Sequence, residues 1–232
     1  DQDEMSPEQM LAENMQQENQ SSQSSSAPSE VMEQEQIREL LSGIILDLDN
    51  YKQIYSALAQ YVAEMNRSIV TVTGVSSGVD WFNNVNESKN QSSGVIIAQN
   101  GKQLLILTDY SPVKQADDII VTFNKGTQAD ASLKEKDETT GLAVIAVELD
   151  VLNEDFLKND ITIATLGSSN IRDIAGLPVV ALGRPMGING SLGYGIITSS
   201  ASESAASDTT YRILQTNIVG SQNAGGVLFN LQ

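Results

Sequence analysis

Histidine and cysteine are both absent from these 232 residues. Without cysteine there are no disulfides and no thiolate chemistry. Without either residue a zinc site has lost its usual ligands, leaving carboxylates and carbonyls for calcium or magnesium, so neither a metal centre nor another cofactor is expected. The missing histidine also removes the imidazole that a serine hydroxyl needs as its proton acceptor. Basic residues are scarce: 13 Lys and Arg stand against 30 Asp and Glu, a formal net charge of -17. Such a chain repels phosphate, which argues against nucleic acid or an anionic membrane surface as partner and favours basic or neutral peptides. No uncharged apolar run reaches the length of a membrane span, and no secretory signal pattern is present. The first residue is Asp1 rather than methionine. That start reads as a mature form or a piece trimmed downstream of an anchor, so membrane attachment is expected only through an anchor outside this sequence.

What is present falls into three parts. Residues 1–30 are mainly Gln, Glu, Ser and Asn, too polar to bury a core, and are expected to be disordered or partly helical. Residues 31–68 read as one long amphipathic helix. Ile37, Leu41, Ile44, Leu48, Tyr51, Tyr55, Leu58, Val62, Met65 and Ile69 recur at alternating steps of four and three, the seam of a coiled coil. Two readings follow: a homo-oligomer joined through this helix, or a helix that lays its stripe on its own domain. From residue 69 to 232 the period changes to short strands rich in Val, Ile and Thr, expected at 69–75, 94–99, 103–108, 118–123, 129–136 and 142–148, and again at 162–165, 178–182, 193–199, 211–216 and 227–231. Asn100-Gly101 is a strong hairpin turn. The first series implies a small antiparallel barrel over about 69–150 and the second another over about 160–232. Trp81 and Phe82, in an expected loop at 76–92, are read as packing aromatics.

Five segments carry a family resemblance. Ser93-Gly94-Val95-Ile96-Ile97 with Leu105-Ile106-Leu107-Thr108-Asp109-Tyr110-Ser111, then Asp137-Glu138-Thr139-Thr140-Gly141-Leu142-Ala143-Val144, then Val179-Val180-Ala181-Leu182-Gly183-Arg184-Pro185-Met186-Gly187, then Gly195-Ile196-Ile197-Thr198-Ser199, and last Gln215-Thr216-Asn217 through Gln222-Asn223-Ala224-Gly225-Gly226, follow in order. They resemble the landmarks of the HtrA-type trypsin-like serine proteases: G-S-G-F-I-I with I-L-T-N-x-H-V, D-x-x-T-D-L-A-V, A-I-G-N-P-x-G, G-I-V-S, and Q-T-D-A with G-N-S-G-G-P-L. The resemblance implies a mainly β fold, a double antiparallel β-barrel preceded by a long N-terminal α-helix. It also implies that Ser111 stands at the position of the histidine base, Gly141 at that of the orienting aspartate, and Ala224 at that of the serine nucleophile. The oxyanion-hole amides would belong to Gln222 and Ala224, where the family has glycine at the first position. The spacing from Gln215 to Ala224 is one residue shorter than the family's. In that family one or two strands follow the nucleophile segment, so the second barrel is expected to be cut short or completed in another way after Gln232.

Other chemistry is weaker. Ser111 or Ser221 with Lys114 or Asp109 would make an unconventional dyad, which needs a lysine desolvated enough to be neutral. Asp47 and Asp49 imitate part of a calcium loop without its glycine or closing glutamate, and Gly187-Ile188-Asn189-Gly190 lacks a P-loop lysine. The resulting expectation is a degenerate protease domain, a pseudoprotease that binds peptide or protein in the bacterial cell envelope. The alternatives are a hydrolase with an unconventional dyad and a structural spacer.

Overall fold

A computed structural model describes residues 48–79, 85–168, 174–206, 209–221 and 225–231. The tail, the seam positions Ile37, Leu41 and Ile44, the pair Trp81 and Phe82, and the positions Gln222 and Ala224 lie outside these residues. The chain divides into two compact units, Asp1–Tyr55 and Ser56–Gln232.

Of the first unit, the described part is the opening of helix α1, which runs Leu48–Met65. Here the apolar stripe is exposed, Leu48 at 67% and Ile54 at 60%, and the Tyr51 and Tyr55 rings meet tilted at 47° with centroids 4.6 Å apart. Among the described residues no helix is long and apolar enough to cross a membrane.

The second unit is mainly β, with two barrel-like sheets. Strands β1 (Ile69–Val79), β2 (Val85–Gln99), β3 (Gln103–Asp109), β4 (Asp118–Phe123), β5 (Gln128–Asp137) and β6 (Leu142–Glu148) close into a barrel in the order β1-β2-β3-β6-β5-β4. Alternation sets the faces: β3 and β4 bury every second residue, so Leu104, Ile106, Val121 and Ile145 fill the interior with Val72 and Ile96. A short helix α2 (Glu154–Asn159), not expected from the sequence, is capped by the Asn153 side chain accepting from the Asp155 amide at 2.8 Å. It sets Phe156 edge-on against Phe123, 5.4 Å between centroids, and so closes one end of that core.

Strands β7 (Pro178–Arg184), β8 (Ser191–Ala206), β9 (Thr209–Thr216) and β10 (Gly225–Asn230) form a four-stranded sheet ordered β10-β7-β8-β9. Val180, Leu182 and Phe229 of this sheet meet Ile69 and Val95 from the outside of the barrel, and Leu58, Tyr61, Val62 and Met65 of α1 pack on the same cluster. The second half of the seam therefore lies on its own domain. On β8 the residues that alternate with Gly193 and Gly195, namely Leu192, Tyr194 and Ile196, stay exposed, Tyr194 at 53%.

Two expectations need correction. The loop expected at 76–92 is mostly the far half of a long β1/β2 hairpin, paired out to Val79↔Val85. Its polar, solvated ladder has no alternation to read, because neither face meets a core. The strand expected at 162–165 is an extended connector. It makes two isolated backbone bonds, Thr162 amide to Arg67 oxygen at 3.1 Å and Ala164 amide to Ile96 oxygen at 2.8 Å, and the second uses a carbonyl freed by the bulge in β2.

Gly74 in β1 decides how the β3–β4 turn sits. A Cβ built there would overlap the Pro112 carbonyl oxygen, so glycine alone lets the turn press against β1. The turn is then pinned by Ser76 Oγ donating to the Gln115 oxygen at 2.7 Å and by the Asp117 amide donating to the Val75 oxygen at 2.8 Å. Gly74→Ala is expected to cost about 3 kcal/mol through this backbone clash, measured as a lower denaturant midpoint with unchanged m.

Candidate functional site

An open cavity of about 580 Å³ lies where the end of the barrel meets the start of β10. Ser111 and Gly141, far apart in sequence, both line it. They meet because the Tyr110 amide, at the exit of β3, donates to the Gly141 oxygen at 2.7 Å. Gly141 ends a tight turn closed by its own amide donating to the Asp137 oxygen at 2.9 Å. The Asp137 carboxylate accepts from the Thr139 amide at 2.9 Å and from the Thr140 hydroxyl at 2.8 Å. Those bonds, the Thr140 hydroxyl first, hold the Asp137 carboxyl below its ordinary pKa. Gly141 itself is left-handed, φ 71, and a Cβ there would meet nothing within 4 Å. Backbone conformation rather than crowding favours glycine at this position.

On the other wall, β10 starts at Gly225, paired with Arg184 of β7 and also lining the cavity. The Gly225 oxygen accepts from Ser93 Oγ, which ties β10 to the barrel. Neighbouring Ser92 shares a hydrogen bond with Thr108 Oγ1 at 2.8 Å, buried beneath the site. The Asp109 carboxylate lies below Gly225, with Oδ2 3.2 Å from where a Cβ on that glycine would sit. Burial raises the Asp109 pKa above the ordinary carboxylate value.

A raised carboxyl pKa means the folded chain holds a proton that the unfolded chain has already released. Stability therefore falls as pH rises through that window and stays lower above it. Asp109→Asn is expected to melt above the parent at neutral pH and to lose that advantage below the carboxylate range, as read by thermal melts at acid and neutral pH.

Sequence reasoning named Ser111, Gly141 and Asp109, and all three line the cavity. It missed Arg184 and Lys89, which also line it. Arg184 has Nε and Nη2 donating to the Gly187 oxygen at 3.2 and 2.7 Å and Nη1 to the Gln91 oxygen at 2.9 Å. Its position in the A-I-G-N-P-like segment could have flagged it; Lys89 sits on the solvated hairpin and carries no signal. Ser221 is exposed and does not line the cavity. Lys114 is exposed as well, with Nζ 5.9 Å from the Tyr110 ring centroid, so it lacks the desolvation that a neutral lysine base requires. No group of three or more acidic side chains that could hold a metal occurs among the described residues.

The family model described as trypsin-like peptidase domain matches residues 92–232. A probable periplasmic serine endoprotease, DegP-like, of Halomonas elongata is 33% identical over 146 residues, covering 62% of this chain and 28% of that protein. Serine endoprotease DegS of Haemophilus influenzae is 32% identical over 145 residues, covering 61% of this chain and 38% of that protein. The matches thus span well under half of either relative's length. Among solved structures, the HtrA-type protease AlgW with decapeptide superposes with a TM-score of 0.57 at 23% identity, covering 74% of this chain and 55% of that one. At that identity the likeness speaks for the fold.

Proposed function

Because this chain belongs to the trypsin-like peptidase family, as an HtrA-type member, we propose that it is a catalytically silent form of the domain, which holds a peptide or protein segment in its cleft outside the bacterial cytoplasm. One observation carries the reading: the cavity gathers Ser111 and Gly141, the positions of base and orienting acid, in a chain of 232 residues without a histidine. A hydroxyl and a hydrogen cannot take a proton from a nucleophile or orient an acceptor. Ala224, at the nucleophile position, has no nucleophilic atom, and Gln222 in place of glycine weakens the oxyanion site. Peptide holding is supported by the cavity and by the structural neighbour AlgW, an HtrA-type protease solved with a decapeptide. The location is supported by the periplasmic relative.

The test pairs two measurements on the full chain. A serine-directed fluorophosphonate is expected to label nothing, while a mixed library of end-blocked peptides is expected to be retained by the immobilised protein. Labelling at any serine beside the cavity would revive the dyad alternative. Failure to retain any peptide would leave the spacer reading in its place.

A further inference from the structure

We propose that the cleft reads positive charge: a lysine or arginine side chain of the bound peptide sits on the Asp109 carboxylate. This rests on the peptide-binding reading above and names the chemistry of its ligand. Three charged residues line the cavity, Lys89, Asp109 and Arg184. Lys89 is paired with Glu87 at 3.0 Å. Arg184 has its donors turned to the backbone oxygens of Gly187 and Gln91. Among the described residues Asp109 accepts no hydrogen bond and joins no ion pair, although it is withdrawn from solvent beneath Gly225.

A half-buried carboxylate keeps about four acceptor sites, and a cation with N–H donors satisfies them better than water confined in a cleft. A metal ion fits poorly. Calcium takes about six to eight oxygen ligands, and no cluster of acidic side chains surrounds this one among the described residues. An anion fits poorly too, since it would have to draw Arg184 off its carbonyls beside a fixed negative charge. The cavity, about 580 Å³, lies within the range of small-ligand sites, roughly 300–1,000 Å³, and can admit a long side chain. The net charge of -17 draws the same class of partner from a distance.

A positional-scanning library of acetylated, amidated hexapeptides tests this, with one position fixed in turn as Lys, Arg, norleucine, Gln or Glu and binding read by fluorescence anisotropy at two salt concentrations. The wild-type chain is expected to prefer Lys and Arg over norleucine by about tenfold, the worth of one charge-assisted hydrogen bond. Asp109→Asn should lose the preference, so that the Lys, Arg and norleucine pools bind alike. A second variant, Ser111→Lys, puts an ammonium on the cavity wall at an exposed position. It should lose the Lys and Arg pools through repulsion of like charge while the norleucine pool is still bound. Peptides bound without charge preference, or a preference kept in Asp109→Asn, overturn the inference while the peptide-binding reading stands. No binding in any pool overturns both.

Discussion

Ala224→Ser, the change that puts a hydroxyl at the proposed nucleophile position, is expected to leave casein hydrolysis at the buffer rate. In serine proteases the base and the nucleophile act as a unit, so losing the base alone costs on the order of 10⁶ in kcat, about as much as losing the whole triad. In the proposed assignment the base position falls on Ser111, in an exposed turn, and the chain has no imidazole anywhere to stand in for it. A serine hydroxyl without an acceptor stays protonated at neutral pH. The carboxylate that lines the cavity, Asp109, is a weak substitute, because a carboxyl even with a raised pKa takes a hydroxyl proton poorly compared with imidazole. Release of fluorescent casein fragments by the Ala224→Ser chain, sensitive to a fluorophosphonate, would end the proposal of a silent domain.

The second large effect divides the helix. Leu58→Asp is expected to lower the melting temperature by on the order of 10 °C. It loses apolar burial against the Val180, Leu182 and Phe229 cluster and sets a charge there, together about 3 kcal/mol. Leu48→Asp with Tyr51→Asp should leave the melting temperature of the monomer, read at high dilution, unchanged, because both side chains are exposed. We propose that this exposed half of the stripe meets a second copy of the chain. The double variant should then reduce an oligomeric mass to that of a monomer in light scattering, and a wild-type chain already monomeric at tens of micromolar refutes the proposal. Together the two variants separate the readings of the seam that the heptad spacing leaves open.

Why that spacing was ambiguous is plain from Leu58, Val62 and Met65. The same steps of three and four serve a helix on its own sheet and a helix on another helix, and only the neighbouring surface decides. Strand positions were more legible. Asp118–Phe123 and Leu142–Glu148 match the expected bounds because each puts one face into a closed core, so alternation follows burial. The hairpin arm beyond Val75 was not legible: its Ser, Asn and Glu residues pair backbone to backbone with no buried face to impose a period. The arm beyond Ser199 follows two register shifts in its pairing with β9, which break any regular period. At the site, Ser111 and Gly141 were found through motif register. Lys89 and Arg184 were not, since a residue reaches a cavity wall through tertiary contacts that leave no trace in local sequence.

The order of strands along the chain also sets an order of assembly. Every strand of the closed barrel is contained between Ile69 and Glu148, so a ribosome can release that core complete while the second sheet is still unmade. β10 comes last of the described strands, and it carries Gly225, whose carbonyl is held by Ser93 and whose backbone roofs Asp109. The cleft is thus the last part of the described domain to be synthesised, and a nascent chain has no finished pocket in which to trap a passing basic peptide.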